Sequence, residues 1–204
     1  MSLADRYFEG LEELMTDEQI EKFEIIPPAT EDEISRLEKF YPDCPESLLD
    51  LWRMKRGTYH EEIDDVYVLL PVLSSDVESG EYPYYLKSCV QILEEAEKNY
   101  NKQSIEEIYG EDWIKENSED FDKRIKMNIS HNKWLNFSDC INNGGTSRLF
   151  IDFDPKGKGV KGQIIRYLHD PDSYIVIANS FDEYLENIIG EEYPFSHIYE
   201  EWDD

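Results

Sequence analysis

The chain is predicted to be an α+β domain in which an antiparallel sheet, a meander in the C-terminal half, packs with helices. Three features of the sequence predict this. Up to residue 57, apolar residues recur every three or four positions behind capping signals, as helices require. From Trp134 the spacing changes: Leu149, Ile151 and Phe153 alternate with Phe150, Asp152 and Asp154, the two-residue period of a strand with one wetter face. After the strands, Phe181, Tyr184, Leu185, Ile188 and Ile189 return to a helical stripe behind the capping box Ser180-Phe-Asp-Glu183, closed by Gly190.

In chain order, residues 4–23 read as helical, with Tyr7, Phe8, Leu11, Leu14 and Met15 on one face. Thr16-x-x-Gln19 restarts a helix carrying Ile20 and Phe23, and Pro27-Pro28 ends it. Thr30-Glu-Asp-Glu33 caps a helix with an Ile34, Leu37, Phe40 and Tyr41 stripe that Pro42 stops. Pro45 suits the first turn of the next helix, whose buried face is Leu48, Leu49, Leu51 and Trp52, and Gly57 suits a C-terminal cap. Val66 to Leu70 is a strand-like run before Pro71. Ser88 caps a helix to about Lys102. Residues 103–130 are charged and weakly patterned; Ser104-x-x-Glu107 and Trp113 suggest one or two short helices in an insertion. Gln163–Leu168 and Tyr174–Ala178 are strands on either side of the turn His169-Asp-Pro-Asp-Ser173. The expected organisation is an N-terminal helical arm (1–26), one domain (27–190) with the charged insertion, and an acidic aromatic tail (191–204).

The 204 residues are 40% hydrophobic and include 14 Tyr, 9 Phe and 4 Trp, enough for a real core. No apolar run approaches the ~18 residues of a membrane span, and the N-terminus has no secretory h-region. Cys44, Cys89 and Cys140 are odd in number and widely spaced, which points to reduced thiols in a cytoplasmic protein. Forty-seven acidic against twenty basic residues leave a net charge of −27. Such a chain is repelled by nucleic acid and by anionic membranes and attracts a basic protein partner.

The usual chemical signatures lead elsewhere. Gly157-x-Gly159-x-x-Gly162 has the dinucleotide spacing, but Gln163-Ile-Ile-Arg-Tyr-Leu168 follows as a strand, where that motif needs a helix N-terminus. A hairpin turn with positive φ explains the glycines better. Asp152-x-Asp154-x-x-Gly157 opens like a calcium loop, yet Lys156 and Gln163 occupy ligand positions, so the two aspartates read as acceptors of backbone hydrogen bonds in the turn. Four isolated histidines form no metal or catalytic pattern, and nothing orients Cys140 with His131 as nucleophile and base. No catalytic residue, metal or cofactor is expected. The remaining signal is aromatic residues among acids. Tyr82, Tyr84 and Tyr85 lie in a Pro-containing loop beside Glu78 and Glu81; Tyr193, Phe195, Tyr199 and Trp202 lie in the tail. Such residues either cap the edge of the core or form an interface. The candidate partner contacts are Glu78, Glu81, Tyr82, Tyr84 and Tyr85.

One pattern is longer than these motifs. Pro28-x-Thr-Glu-x-Glu-Ile34, Leu37-Glu38, Pro45-Glu46, Leu48-Leu49 and Gly57 are followed by Trp134, Phe137, Gly144, Gly145, Asp152, Asp154, Pro155, Gly159, Gly162-Gln-Ile164, Ser180-Phe181 and Leu185. Their order and spacing over residues 27–58 and 134–189 resemble the SUKH superfamily, in the branch holding the fungal cell-wall-assembly regulator and many bacterial proteins. One departure is Arg56-Gly57, where that family has Asn-Gly. The resemblance implies an α+β fold in which Trp134, Gly144, Gly145, Asp152, Asp154, Pro155, Gly162 and Phe181 serve turns and core. It implies no catalysis. For bacterial members it implies an immunity protein that binds and neutralises a toxin, often a nuclease; for the regulators, an interaction module in cell-wall and stress signalling. A hydrolase using clustered carboxylates is a third reading.

Overall fold

The computed structural model describes residues 1–77, 83–142 and 145–201. Helices α1 (Leu3–Glu12) and α2 (Asp17–Glu24) open the chain, followed by α3 (Glu31–Phe40) and α4 (Glu46–Met54). Local capping starts them. At α1 the Asp5 N–H donates to Ser2 Oγ (3.1 Å) while Ser2 N–H donates to the Asp5 carboxylate (2.7 Å). Thr16 N–H donates to Gln19 Oε1 (2.9 Å), and Thr30 N–H to Glu33 Oε2 (2.7 Å). Gly57 is not the cap of α4, which ends at Met54 with Lys55 capping. Its role is steric: a Cβ there would stand 2.9 Å from the Ser88 backbone nitrogen.

A hairpin of β1 (Glu61–Ile63) and β2 (Val66–Val68) precedes the main sheet. That sheet has five antiparallel strands, in the order β3 (Tyr85–Leu86), β4 (Leu135–Asn142), β5 (Gly145–Asp152), β6 (Gln163–Leu168) and β7 (Ser173–Ala178). Between β3 and β4 lie α5 (Cys89–Ala96), a 3-10 turn at Asn99–Lys102, α6 (Ile105–Tyr109), α7 (Glu111–Glu116) and a 3-10 turn at His131–Lys133. The chain finishes with α8 (Phe181–Gly190) and α9 (Ile198–Glu201).

Side-chain alternation divides the sheet between two apolar clusters. On one face Leu135, Phe137, Leu149, Ile151 and Ile164 pack against α1 to α5 and α8. Residues 1–26 belong to this cluster through Tyr7, Phe8, Leu11 and Phe23. So does the tail segment, through Tyr193, Phe195, Ile198 and Tyr199. The Tyr193 hydroxyl donates to the Tyr7 carbonyl at 2.8 Å, and the Tyr199 hydroxyl to that of Pro71. Trp202 lies outside the described residues.

The other face was read as wetter, and that reading is corrected. Trp134, Phe150, Ile165, Tyr174 and Val176 form a second cluster under Ile105, Phe121 and Ile125. The charged insertion is a lid whose Ile105, Phe121 and Ile125 point inward, while Ile108 and Trp113 stay exposed. It also covers the outer edge of β7: Tyr174 N–H donates to the Asp120 carbonyl (2.8 Å) and Asp122 N–H to that of Tyr174 (2.9 Å). One turn on, Arg124 Nη2 donates to the Val176 carbonyl (3.2 Å) and is paired to Asp122 (2.6 Å). An ion pair on an edge carbonyl of a sheet discourages another strand from pairing there.

Candidate functional site

Of the sequence-predicted partner contacts, Glu78, Glu81 and Tyr82 lie outside the described residues. Tyr84 and Tyr85 are placed, and their reading as exposed loop aromatics is corrected: they are 0% and 4% exposed. Tyr84 accepts backbone hydrogen bonds from Val72 (3.0 Å) and Leu73 (3.1 Å), and Tyr85 pairs with Asp139 across β3 and β4. Burial raises both phenol pKa values above their ordinary 10.0. The aromatics that do reach solvent nearby are Tyr67 and His60, next to Tyr59, whose ring lies 5.6 Å from that of Tyr85.

Of the family-motif residues, Asp152, Pro155 and Gly162 lie at the turn between β5 and β6, and Trp134 and Phe181 in the two clusters. Asp152 is fully buried, and its carboxylate accepts from Asp154 N–H (2.9 Å) and from Gln163 Nε2 (2.9 Å). Burial raises its pKa, and those hydrogen bonds oppose the rise. The Asp152 carbonyl accepts from Gly162 N–H (2.7 Å), closing a turn in which Gly157 and Gly162 have φ of +61° and +91°. Asp154 is exposed and pairs with Lys126; Pro155 is half-buried, so close to Gly159 that a Cβ there would meet it at 2.6 Å. Gly145 carries His169 against its backbone, where a Cβ would meet the ring at 2.2 Å. Gly144 lies outside the described residues. Trp134 packs into the lid cluster and Phe181 against Phe137 (5.2 Å) in the main one.

A model of the SMI1/KNR4 family (SUKH-1) matches residues 28–187, from the start of α3 to near the end of α8. The chain belongs to this family. No curated protein matches it. The matched span encloses the lid segment as well as the two better-patterned ends.

The charge on this SMI1/KNR4 chain is unevenly placed. Glu9, Glu12, Glu13, Asp17, Glu18, Glu21 and Glu24 are exposed on α1, α2 and their junction. α8 adds exposed Asp182 and Glu186, and Glu191 and Glu192 follow it. These elements are neighbours: Phe8 on α1 and Phe23 on α2 have rings 5.1 Å apart, and Arg6 on α1 reaches Glu186 on α8. Against these acids, Arg6 pairs with Glu186 (3.4 Å), Lys22 with Glu18 (2.6 Å), and Lys55 donates to the Phe23 carbonyl (2.7 Å). By contrast, exposed Lys156, Lys158 and Lys161 gather in the turn between β5 and β6.

Two groups weighed as catalytic candidates are separated by the sheet. Cys140 lies in the main cluster, its thiol pushed up to about 12 by burial and the nearby Asp139. His131 lies under the lid, with Nδ1 2.7 Å from the Gln103 carbonyl oxygen and Nε2 3.0 Å from the Tyr174 hydroxyl. Its neutral form fits both partners, with Nδ1–H donating and Nε2 accepting. Burial lowers its pKa from 6.5 to about 4; Arg148 adds to this and the Gln103 carbonyl opposes it. The unfolded chain therefore takes up a proton near the ordinary histidine pKa that the folded chain refuses until about 4. Stability from this group is lost as pH falls through that window, by ~3 kcal/mol at most. Urea midpoints at roughly pH 7 and pH 4.5 should converge between wild type and His131→Asn at the acid end. Parallel losses in both proteins would clear His131 of the effect.

Beneath β3 and α5 lies a buried ionic group. Lys87 is fully buried and pairs with Glu95 and with Asp139 (3.2 Å); Asn136 Nδ2 also donates to Asp139 (2.9 Å). Arg148 approaches Asp139 to 3.9 Å from the lid side. The sequence offered no local signal for this set, whose members come from the residue after β3 and from α5, β4 and β5. Among the described residues, no group of three or more His, Cys, Asp or Glu is arranged to hold a metal ion. Nor is any described helix long and apolar enough to cross a membrane.

Proposed function

We propose that this chain is a non-catalytic binding protein, an immunity protein that neutralises a cognate toxin of the nuclease type. Membership of the SMI1/KNR4 family supports the reading, since the family includes immunity proteins as well as cell-wall regulators. The observation that carries it is the acidic face on α1, α2 and α8, where carboxylates outnumber the cations paired with them. A nuclease must present a cationic cleft to hold a polyanion, and an acidic surface of fixed shape can occupy that cleft. Long-range attraction would speed the encounter, and contacts in the cleft would then slow release. A cytoplasmic location belongs to the same proposal, and the thiols of Cys44, Cys89 and Cys140 are free.

The decisive experiment is co-expression with each toxin domain encoded beside the gene. The expected outcome is a complex that co-purifies and restores growth. Failure of every neighbouring toxin to bind or to be neutralised would end this reading in favour of a regulatory interaction module. With a toxin in hand, two charge reversals locate the contact. Glu78→Lys with Glu81→Lys tests the predicted loop; Glu12→Lys with Glu21→Lys tests the helical face. Reversal at the true contact should slow association ~10- to 100-fold at low salt and flatten its salt dependence. A pair that leaves both unchanged lies away from the toxin.

A further inference from the structure

A groove of about 370 Å³ opens between the 99–109 segment and the lid-side face of the sheet. Its floor is a cross-strand row. Arg148 on β5 is directly opposite Tyr167 on β6, which is directly opposite Tyr174 on β7. Tyr100 and Tyr109 form the opposing wall. The rings are held in place. Tyr167 and Tyr174 stack at 4.7 Å, and the hydroxyls of Tyr109 and Tyr167 both donate to Asp172, at 2.5 and 2.9 Å. A ligand ring would thus meet surfaces that have already lost their rotamer freedom.

The lining of the groove differs in charge from the rest of the surface, with Asp172 behind its tyrosine hydroxyls and Asp139 behind its arginine. The chain has 47 acidic residues, yet no carboxylate is among the residues that line this groove. The comparable openings carry Glu94 and Glu97, or Glu106, Glu107 and Glu111. The lining cation is Arg148, and its donors are incompletely used. Its guanidinium carbon lies 5.3 Å over the Tyr100 ring and Nη1 donates to Asn101 Oδ1 at 3.2 Å. Nε is buried with no hydrogen-bond acceptor, and the Asp139 carboxylate, 3.9 Å away, already serves Lys87 and Asn136. A buried donor on a permanent cation costs free energy until an acceptor reaches it.

We propose that this groove is a binding site for a small planar aromatic anion, its ring against Tyr100, Tyr109 and Tyr167 and its phosphate or carboxylate on Arg148. The forked guanidinium suits either oxyanion, and each stacked ring adds ~1–3 kcal/mol. This site is independent of the toxin-binding reading, which uses the acidic helices on the other side of the sheet.

Phenyl phosphate, benzoate and AMP are the probes, with inorganic phosphate and adenosine as the anion-only and ring-only controls. Each is titrated into the full chain by calorimetry and by amide and arginine-side-chain NMR. The aromatic anions should bind with sub-millimolar affinity and move the Arg148 Nε–H resonance, while both controls bind at least ~10-fold more weakly. Relative affinity of phenyl phosphate and benzoate reports which oxyanion the site prefers. Arg148→Gln should weaken binding at least ~10-fold. Thr146→Glu places a carboxylate at the half-buried rim and should do the same while thermal unfolding stays unchanged, which keeps the test valid even if Arg148→Gln destabilises the fold. The inference is overturned if no aromatic anion perturbs the groove at about 10 mM. It is equally overturned if Thr146→Glu binds as well as wild type, or if inorganic phosphate matches phenyl phosphate.

Discussion

Lys87→Ala should cost about 3–5 kcal/mol of stability, among the largest single-site losses expected in this protein. The ammonium is fully buried between Glu95 and Asp139, whose side chains are 18% and 4% exposed. Deleting it strands two carboxylates in a low-dielectric setting, and Arg148, 3.9 Å from Asp139, compensates only one of them. The backbone at Lys87 survives the change, because its N–H donates to the Phe137 carbonyl (3.0 Å) and its carbonyl accepts from Trp52 Nε1 (2.8 Å). The loss is therefore electrostatic, and removing the whole group should recover most of it. Urea denaturation of Lys87→Ala beside the triple variant Lys87→Met, Glu95→Gln, Asp139→Asn makes the comparison. A single variant within about 1 kcal/mol of wild type would mean that water already reaches the pair.

Trp134→Ala should cost a similar ~3–5 kcal/mol, but in a different place. The indole is 1% exposed, with its ring 5.3 Å from His131 and 5.6 Å from Phe150. Its neighbours belong to the cluster that ties residues 103–130 to the sheet, so the lid should loosen before the rest. Phe137→Ala removes a ring of similar burial from the other face, where it meets Phe181 (5.2 Å) and Tyr184 (5.7 Å). Native-state hydrogen exchange separates the two. Trp134→Ala should lower protection in the lid first, and Phe137→Ala should lower it throughout. Identical protection patterns would show that both faces open as one unit. If Trp134→Ala does free the lid, it should also weaken phenyl phosphate binding, because Tyr109 belongs to that segment.

What could be read early was local. The caps at Thr16, Thr30, Ser104 and Ser180 start helices because a side chain three residues away satisfies a backbone donor, whatever the rest of the chain does. The strand Gln163–Leu168 follows from its turn and its apolar run, and positive φ at Gly157 and Gly162 follows from the tight connection. Tyr84 and Tyr85 were misread because a two-residue strand has no period to detect, and its partner at Ser138 and Asp139 is far along the chain. The second face of β5 was misread for a related reason. Alternation separates the two sides of a strand, but does not say that Ile105, Phe121 and Ile125 will cover the polar-looking one.

The same division holds for function. Composition alone sets the sign and size of the charge, because those depend on sums over residues. The family pattern needs only order and spacing along the chain. Where the negative charge gathers, and where one arginine meets a row of tyrosines, depends on which strands and helices become neighbours. Arg148, Tyr167 and Tyr174 form a row only after three strands take register, and Tyr109 reaches that row only when the lid folds over it. Contacts between distant segments form only when burial of both sheet faces outweighs the entropy of closing the loops between them, and no stretch of sequence carries that balance within itself.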